Sequence, residues 1–166
     1  MTFDELISII LELKKNSGCK SIKLNSKFIK KNDIFISISE DSKKNLEYVS
    51  DAISKGAQLI ISSDKDQKNK NSLIRYFPNI KNKLSEISNI FYEEPSKNFK
   101  VFGVTGTNGK SSVSYFLHQI FTKNNFRSAL LSSVKNKKKD IFFSELTTPD
   151  TFFLNQFISN LSVENY

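Results

Sequence analysis

The stretch at residues 100–112, KVFGVTGTNGKSS, says most about which fold this chain adopts. Three of the five glycines in the whole sequence lie within it, directly after the apolar pair at residues 101–102. Apolar residues then recur at helical spacing, at Val113, Phe116, Leu117, Ile120 and Phe121. This order predicts a strand, a glycine-rich turn and the start of a helix, which is the layout of a phosphate-binding loop.

The residues around the last glycine supply the polar groups that such a loop needs. Lys110 would place a point charge on the β- and γ-phosphates, and Ser111 has its hydroxyl where such loops hold Mg²⁺. The general pattern begins with glycine where this chain has Val104, so the match is to the variant G-x-x-G-x-x-G-K-S. Glycine-rich turns also precede helices without any ligand, but the lysine and two hydroxyls in register favour a phosphate site. The candidate nucleotide-binding residues are Gly106, Thr107, Asn108, Gly109, Lys110, Ser111 and Ser112, with Lys110 also catalytic and Ser111 also the metal ligand.

The composition indicates a folded protein and limits its partners. At 166 residues the chain could form one domain or two small ones, and 38% hydrophobic residues are enough for packed cores. No apolar run approaches the length of a membrane span, and the lone Cys19 fits a reducing cytoplasm rather than a disulfide framework. The net charge of +8 is accompanied by no nucleic-acid motif. We therefore expect neither a nucleic-acid partner nor a membrane partner.

The part of the chain before the loop shows alternating helical and strand patterns. Turn residues separate these patterns, and Leu46, Val49 and Ile53 are predicted to face inward from the second helix. The predicted elements are a helix over 2–15 with a Thr2–Glu5 capping box, a half-buried strand over 34–39, a helix over 45–56, a strand over 57–62, and a further strand and helix before residue 90.

A proline–serine pair at residues 95–96 interrupts secondary structure, so we predict a boundary that separates domain 1–96 from domain 97–166. Beyond the loop helix, the sequence predicts strands over 126–133 and 141–145, a Lys-rich turn over 135–139, and a helix over 150–162. The predicted fold class is α/β, with a small N-terminal α/β domain followed by the beginning of a P-loop domain.

The loop residues TGTNGKSS resemble the ATP loop of the Mur ligases and their folate-polyglutamate relatives, whose usual form is TGTNGK followed by two Thr or by Gly-Ser. Residues 91–106, FYEEPSKNFKVFGVTG, are similar to the linker that precedes this loop in the family. Residues 45–62 resemble the family's helix–strand pair. Relatives usually carry D-G-H just before that helix, and this chain has SKKN at residues 42–45.

Two further segments resemble the tripeptide-synthetase branch of the family. Residues 24–27, LNSK, are similar to an L-D-S-R segment whose Leu and Ser contact the uridine end of the substrate, which implies that Leu24 and Ser26 contact UDP. Thr147 and Thr148 match a T-T-P segment that contacts the UDP-muramoyl peptide, where the folate branch has Ser-Pro-His. The same two Thr could instead cap the helix that follows Pro–Asp.

The resemblance implies an ATP-dependent, Mg²⁺-dependent amide ligase of peptidoglycan synthesis. Such an enzyme phosphorylates the carboxylate of UDP-MurNAc-L-Ala-D-Glu and joins it to an amino acid, either diaminopimelate or lysine. The chain would supply the N-terminal domain and an incomplete central domain, so we expect a truncated cytoplasmic monomer that is inactive by itself. Two alternatives remain open. One is a fragment of a folylpolyglutamate synthase-like enzyme or of the Mur ligase that adds D-Ala-D-Ala, and the other is a non-catalytic nucleotide-binding module.

Overall fold

The structure, a computed structural model, describes residues 1–39, 41–67, 71–132, 136–137, 141–142 and 149–163. The chain divides into two compact units. The first unit comprises Met1–Glu94 and Thr151–Gln156, and the second comprises Pro95–Asp150 and Phe157–Tyr166. The roles predicted for domains 1–96 and 97–166 stay a prediction.

The first unit contains a four-stranded parallel sheet with strand order β1-β2-β3-β4. The strands are β1 (Ile22–Lys23), β2 (Ile34–Ser37), β3 (Leu59–Ser62) and β4 (Ile74–Tyr76). Its helices are α1 (Phe3–Asn16), α2 (Ser42–Ser54) and α3 (Ile80–Tyr92). The predicted α/β class is confirmed.

Helix α1 forms where its local sequence predicts it. The Oγ1 of Thr2 accepts a hydrogen bond from the main-chain N–H of Glu5 at 3.2 Å, and the Thr2 N–H donates to the Glu5 carboxylate at 2.8 Å. Two of the N–H groups left unpaired at a helix start are thereby satisfied. Leu6 and Ile10 lie on the buried face, and the helix ends at Asn16, with Ser17 as its C-cap. The predicted capping box is confirmed.

The sheet is covered on both faces, which corrects the prediction that β2 is half-buried. All four residues of β2 are buried. Ile34 and Ile36 belong to a core on one face that includes side chains of α1 and α3, whereas Phe35 belongs to a core on the other face that includes side chains of α2. Alternating apolar and polar residues indicate a solvent-exposed face of a strand only where no helix covers that face.

Helix α2 begins earlier than predicted, because Asp41 caps it and accepts hydrogen bonds from two main-chain N–H groups of the first turn. Val49 is buried and Ile53 is partly buried, as predicted. Leu46 is 49% exposed, so its predicted inward position is wrong. Ala52 is fully buried instead, because the small side chain lets the helix approach the sheet closely.

The second unit contains α4 (Lys110–Lys123), the short antiparallel pair β5 (Asn136–Lys137) and β6 (Ile141–Phe142), and α5 (Thr151–Val163), which begins in the first unit. Its described residues include no strand at 101–102 and only a single bridge residue, Leu130, within 126–132, so these two strand predictions are corrected. A strand needs a hydrogen-bonded neighbour, and within the described part of this unit only β5 and β6 pair along a ladder. β5 falls inside the Lys-rich run that was predicted to be a turn.

Helix α4 has one face exposed to solvent, and its other residues are partly exposed. None of its residues is buried, and Phe116 at 64% and Ile120 at 56% are among the most exposed large apolar side chains of the described residues. The buried cluster of this unit lies elsewhere, where α5 residues Phe157, Ile158 and Leu161 pack with Phe99 and Leu131. Among the described residues, no helix is both long enough and apolar enough to cross a membrane.

Candidate nucleotide-binding loop

Two glycines give the loop before α4 its conformation. Gly106 has φ +147° and Gly109 has φ +77°, and Gly109 stands at the N-cap position of α4 without a side-chain cap. A Cβ atom built on Gly109 would meet no atom within 4 Å, and one built on Gly106 would meet only the Asn108 carbonyl oxygen at 3.7 Å. Glycine is therefore required here by the backbone conformation and not by crowding.

The main-chain amides of this loop are available to a ligand. Within the described part of the chain, no main-chain N–H of residues 104–110 donates a hydrogen bond to another residue. Residues 105–110 are exposed, so these groups contact solvent. The first N–H groups of a helix lack intrahelical partners and carry its positive end, so the start of α4 presents favourable donors for an anion.

Lys110 folds back onto the loop that precedes it. Its Nζ donates to the carbonyl oxygen of Gly106 at 2.6 Å and to that of Thr107 at 3.1 Å. The ammonium group thus lies within the same short segment as the unpaired amides, together with the exposed side chains of Thr107 and Asn108. Ser111 is half-buried in the first turn of α4 and Ser112 is exposed beside it. All seven predicted loop residues lie in this one segment.

The predicted UDP contacts Leu24 and Ser26 lie in the first unit, directly after β1. Leu24 is partly buried against the core, and Ser26 is buried at the start of a short 3-10 helix, Ser26–Phe28. The Nζ of Lys55 on α2 donates to the Ser26 carbonyl at 3.1 Å. Hydrogen bonds from Lys55, and secondly from the Ser26 hydroxyl, hold the pKa of the Asp51 carboxyl below its usual value. Lys55 therefore ties the main chain at Ser26 to α2.

Thr147 and Thr148 lie outside the described residues, so their predicted contact with the muramoyl peptide and their predicted capping role both stay predictions. Helix α5 begins at Thr151, close to the predicted residue 150. Among the described residues, no group of three or more His, Cys, Asp or Glu side chains could hold a metal ion.

Sequence reasoning missed a buried polar cluster at the ends of β2 and β3, formed by Ser37, Asn45, Ser62 and Asp64. The first three side chains are buried, with exposures of 2%, 0% and 0%. The signal that could have revealed the cluster is a serine that ends each of two otherwise apolar strands, since Ser37 and Ser62 lie side by side in the parallel register.

Cys19 is buried, and its Sγ lies 3.6 Å from the Ser21 carbonyl oxygen. Burial raises the pKa of this thiol, because removal of water disfavours the charged form. A raised thiol pKa disfavours a nucleophile, so the position of Cys19 fits a packing residue.

The family described as Mur ligase middle domain matches residues 104–166. A UDP-N-acetylmuramoyl-L-alanyl-D-glutamate–2,6-diaminopimelate ligase of Clostridioides difficile is 31% identical over 95% of this chain, and one of Wigglesworthia glossinidia brevipalpis is 41% identical over 58% of it. A UDP-N-acetylmuramyl-tripeptide synthetase of Oceanobacillus iheyensis is 32% identical over 92% of this chain. These alignments cover 32%, 21% and 32% of the three relatives, respectively.

Two solved structures share the fold. One is a UDP-N-acetylmuramoyl-L-alanyl-D-glutamate–2,6-diaminopimelate ligase, with a TM-score of 0.63 and 18% identity over 88% of this chain and 30% of that one. The other is the MurF ligase of Thermotoga maritima in complex with ADP, with a TM-score of 0.53 and 20% identity over 87% of this chain and 30% of that one. The chain thus spans less than a third of the length of these relatives. From the loop sequence, the middle-domain match and the relatives together, the chain belongs to the Mur ligase family.

Proposed function

We propose that this chain is the substrate-binding and ATP-binding part of a ligase that adds the third amino acid to UDP-MurNAc-L-Ala-D-Glu. The observation that carries the proposal is the loop of residues 104–110. Amides that donate to no other described residue, two glycines with positive φ and the Lys110 ammonium lie there in one segment. That segment begins the stretch that matches the family's middle domain. The relatives named for this reaction align over most of the chain.

The loop residues fit a nucleotide triphosphate with Mg²⁺. The free amides would hold phosphate oxygens, and Lys110 would leave the two carbonyls for the β- and γ-phosphates. The Ser111 hydroxyl would hold Mg²⁺, which when bound supplies charge neutralisation on the phosphates. Positioning and electrostatic stabilisation are the main contributions a protein makes to phosphoryl transfer, so Lys110 is the residue we assign to catalysis. Thr107, Asn108 and Ser112 would line the same segment.

We propose that the first unit binds the UDP end of the substrate. Leu24 and Ser26 follow β1, and in open parallel sheets ligands bind beyond the carboxyl ends of the strands. Thr147 and Thr148 would contact the muramoyl peptide. In this proposal domain 1–96 holds the UDP-sugar and domain 97–166 holds ATP.

The amino acid added would be diaminopimelate or lysine, and the chain would act as a cytoplasmic monomer. Because the matched relatives are much longer, we expect residues 1–166 alone to form no amide product from UDP-MurNAc-L-Ala-D-Glu, ATP and the amino acid. Amide formation by this chain alone would contradict that expectation.

Titration calorimetry with Mg-ATP tests the loop directly. We expect the chain to bind Mg-ATP and the Lys110→Ala variant to lose that binding, because no other side chain of the loop carries a positive charge. Lys100→Ala is the matched control, since it removes an exposed lysine that precedes the loop. Equal affinity of the Lys110→Ala variant and the unaltered chain would refute the proposed role of the loop.

A further inference from the structure

A buried polar cluster joins the ends of two neighbouring strands to the start of α2. Ser37 and Ser62 are the last residues of β2 and β3, and they lie side by side in the parallel register. Asn45 lies in the first turns of α2, above the same face of the sheet as Phe35 and Ile60. Its side chain is fully buried and contacts both serines.

The hydrogen bonds of Asn45 use both sides of its amide. Its Oδ1 accepts from the Ser37 hydroxyl, and its Nδ2 donates to the Ser62 hydroxyl at 3.2 Å and to the Asp64 carboxylate at 3.1 Å. The Asp64 N–H donates to the same Ser62 hydroxyl at 3.1 Å. A buried amide with both donors and its acceptor engaged holds its neighbours in one arrangement, since any shift leaves a buried polar atom unpaired.

The cluster lies where the parallel strands end. The segments after β2 and β3 both begin at it, and the segment after the neighbouring strand β1 carries Leu24 and Ser26. Packing alone does not require polar groups here, because replacing both hydrogen-bond partners by apolar groups of the same shape can be nearly neutral for stability. A fully bonded polar cluster at this edge therefore points to a demand for a defined loop geometry.

Helix α2 connects this cluster to Ser26. About two turns after Asn45, the Asp51 carboxylate and the Lys55 ammonium form an ion pair at 2.8 Å. The Lys55 ammonium also donates a hydrogen bond to the Ser26 carbonyl oxygen at 3.1 Å. A single rigid helix thus holds the loop after β1 and is itself anchored to the ends of β2 and β3.

We infer that Asn45 is a positioning residue for the uridine diphosphate substrate. It fixes α2 and the loops after β2 and β3, and through α2 it orders the segment of Leu24 and Ser26. The inference rests on the function proposed above, in which the first unit holds the UDP-sugar. Because these loops are already ordered in the free protein, substrate binding does not incur the free-energy cost of ordering them.

The test is calorimetric titration of the 1–166 chain with UDP-MurNAc-L-Ala-D-Glu, with Asn45→Ala as the test variant. Asn155→Ala is the matched control, because Asn155 is a buried asparagine of the same unit whose Nδ2 donates to Ser88 Oγ at 2.8 Å and to Asn89 Oδ1 at 2.9 Å. We expect both variants to lower the melting temperature. Only Asn45→Ala should weaken the affinity, by about tenfold or more, and Asn155→Ala should leave it within about twofold.

If Asn45→Ala does not fold, the milder variant Ser62→Ala replaces it in the test. We expect Ser62→Ala to cause the same loss of affinity, because the substitution removes one hydrogen-bond partner of Asn45. Equal weakening by Asn45→Ala and Asn155→Ala would overturn the inference, since it would show a general loss of stability. Unchanged affinity in the Asn45 and Ser62 variants would overturn the inference and leave the proposed function intact. Absence of binding by the unaltered chain would overturn both.

Discussion

At the scale of single residues, the loop glycines differ in what the backbone asks of them. Gly109 has φ +77°, whereas Gly103 has no positive φ, and a Cβ atom on either would meet nothing within 4 Å. Because neither position is crowded, a comparison of Gly109 with Gly103 measures the effect of backbone conformation without that of steric contact. Only Gly109 occupies the left-handed region that residues with a Cβ atom adopt at a cost.

We expect Gly109→Ala to lower the free energy of unfolding by about 1 kcal/mol and to weaken Mg-ATP binding, because alanine disfavours positive φ and would displace the adjacent amides. Gly103→Ala is the control and should be neutral or slightly stabilising. Urea denaturation and calorimetry would measure both effects. Equal destabilisation by the two variants would contradict the assigned conformations.

The sequence predicted the loop residues, because glycine spacing and a following lysine are local signals. It did not predict the hydrogen bonds of Lys110 to the carbonyls of Gly106 and Thr107, since these depend on the path of the backbone between them. The Asn45 cluster was missed for a related reason. Its members come from three separate segments, and only the fold brings them together.

At the scale of elements, α1 was predictable because its capping box lies within its own sequence. The burial of β2 was not, because it depends on which helices cover each face of the sheet. Leu46 shows the same limit within α2, where periodicity alone did not reveal that Ala52 would make the closer contact. The strand predicted at 101–102 lacked a pairing partner among the described residues, which no pattern within that pair could indicate.

The open apolar face of α4 leads to a second prediction. We expect Phe116→Ser and Ile120→Ser to reduce the binding of a hydrophobic dye, because they remove large exposed apolar surfaces. The free energy of unfolding should change by no more than about 0.5 kcal/mol, as is typical of surface positions.

Dye fluorescence and urea denaturation would measure these changes, with Thr122→Ser as a control on the exposed surface of the same helix. A large loss of stability in the Phe116 variant would show that this side chain packs against something in solution and would contradict its exposure.

At the scale of the whole molecule, the first unit includes the start of a helix that is distant in sequence. Phe152, in the first turn of α5, is 1% exposed and belongs to the core that also contains Leu6, Ile87 and Phe91. The capping residues before α5 predicted a helix but gave no indication of which core its residues would join. That assignment depends on contacts between residues far apart in sequence.

Phe152→Ala should cost about 3–5 kcal/mol of stability, because it leaves a cavity in this core. Leu154→Ala is the control on the same helix, since Leu154 is 40% exposed, and it should have a small effect. Chemical denaturation monitored by far-ultraviolet circular dichroism would measure both. Similar losses for the two variants would contradict the placement of Phe152 in the core.

The burial of Phe152 in the first unit also has a consequence for synthesis. A nascent chain leaves the ribosome from its N-terminus, so the sheet of this unit emerges long before the phenylalanine that completes its core. Until then the pocket for that ring stays open to water or to a chaperone. The glycine-rich loop is translated during this interval, so we expect the proposed nucleotide site to leave the exit tunnel before the neighbouring fold is finished.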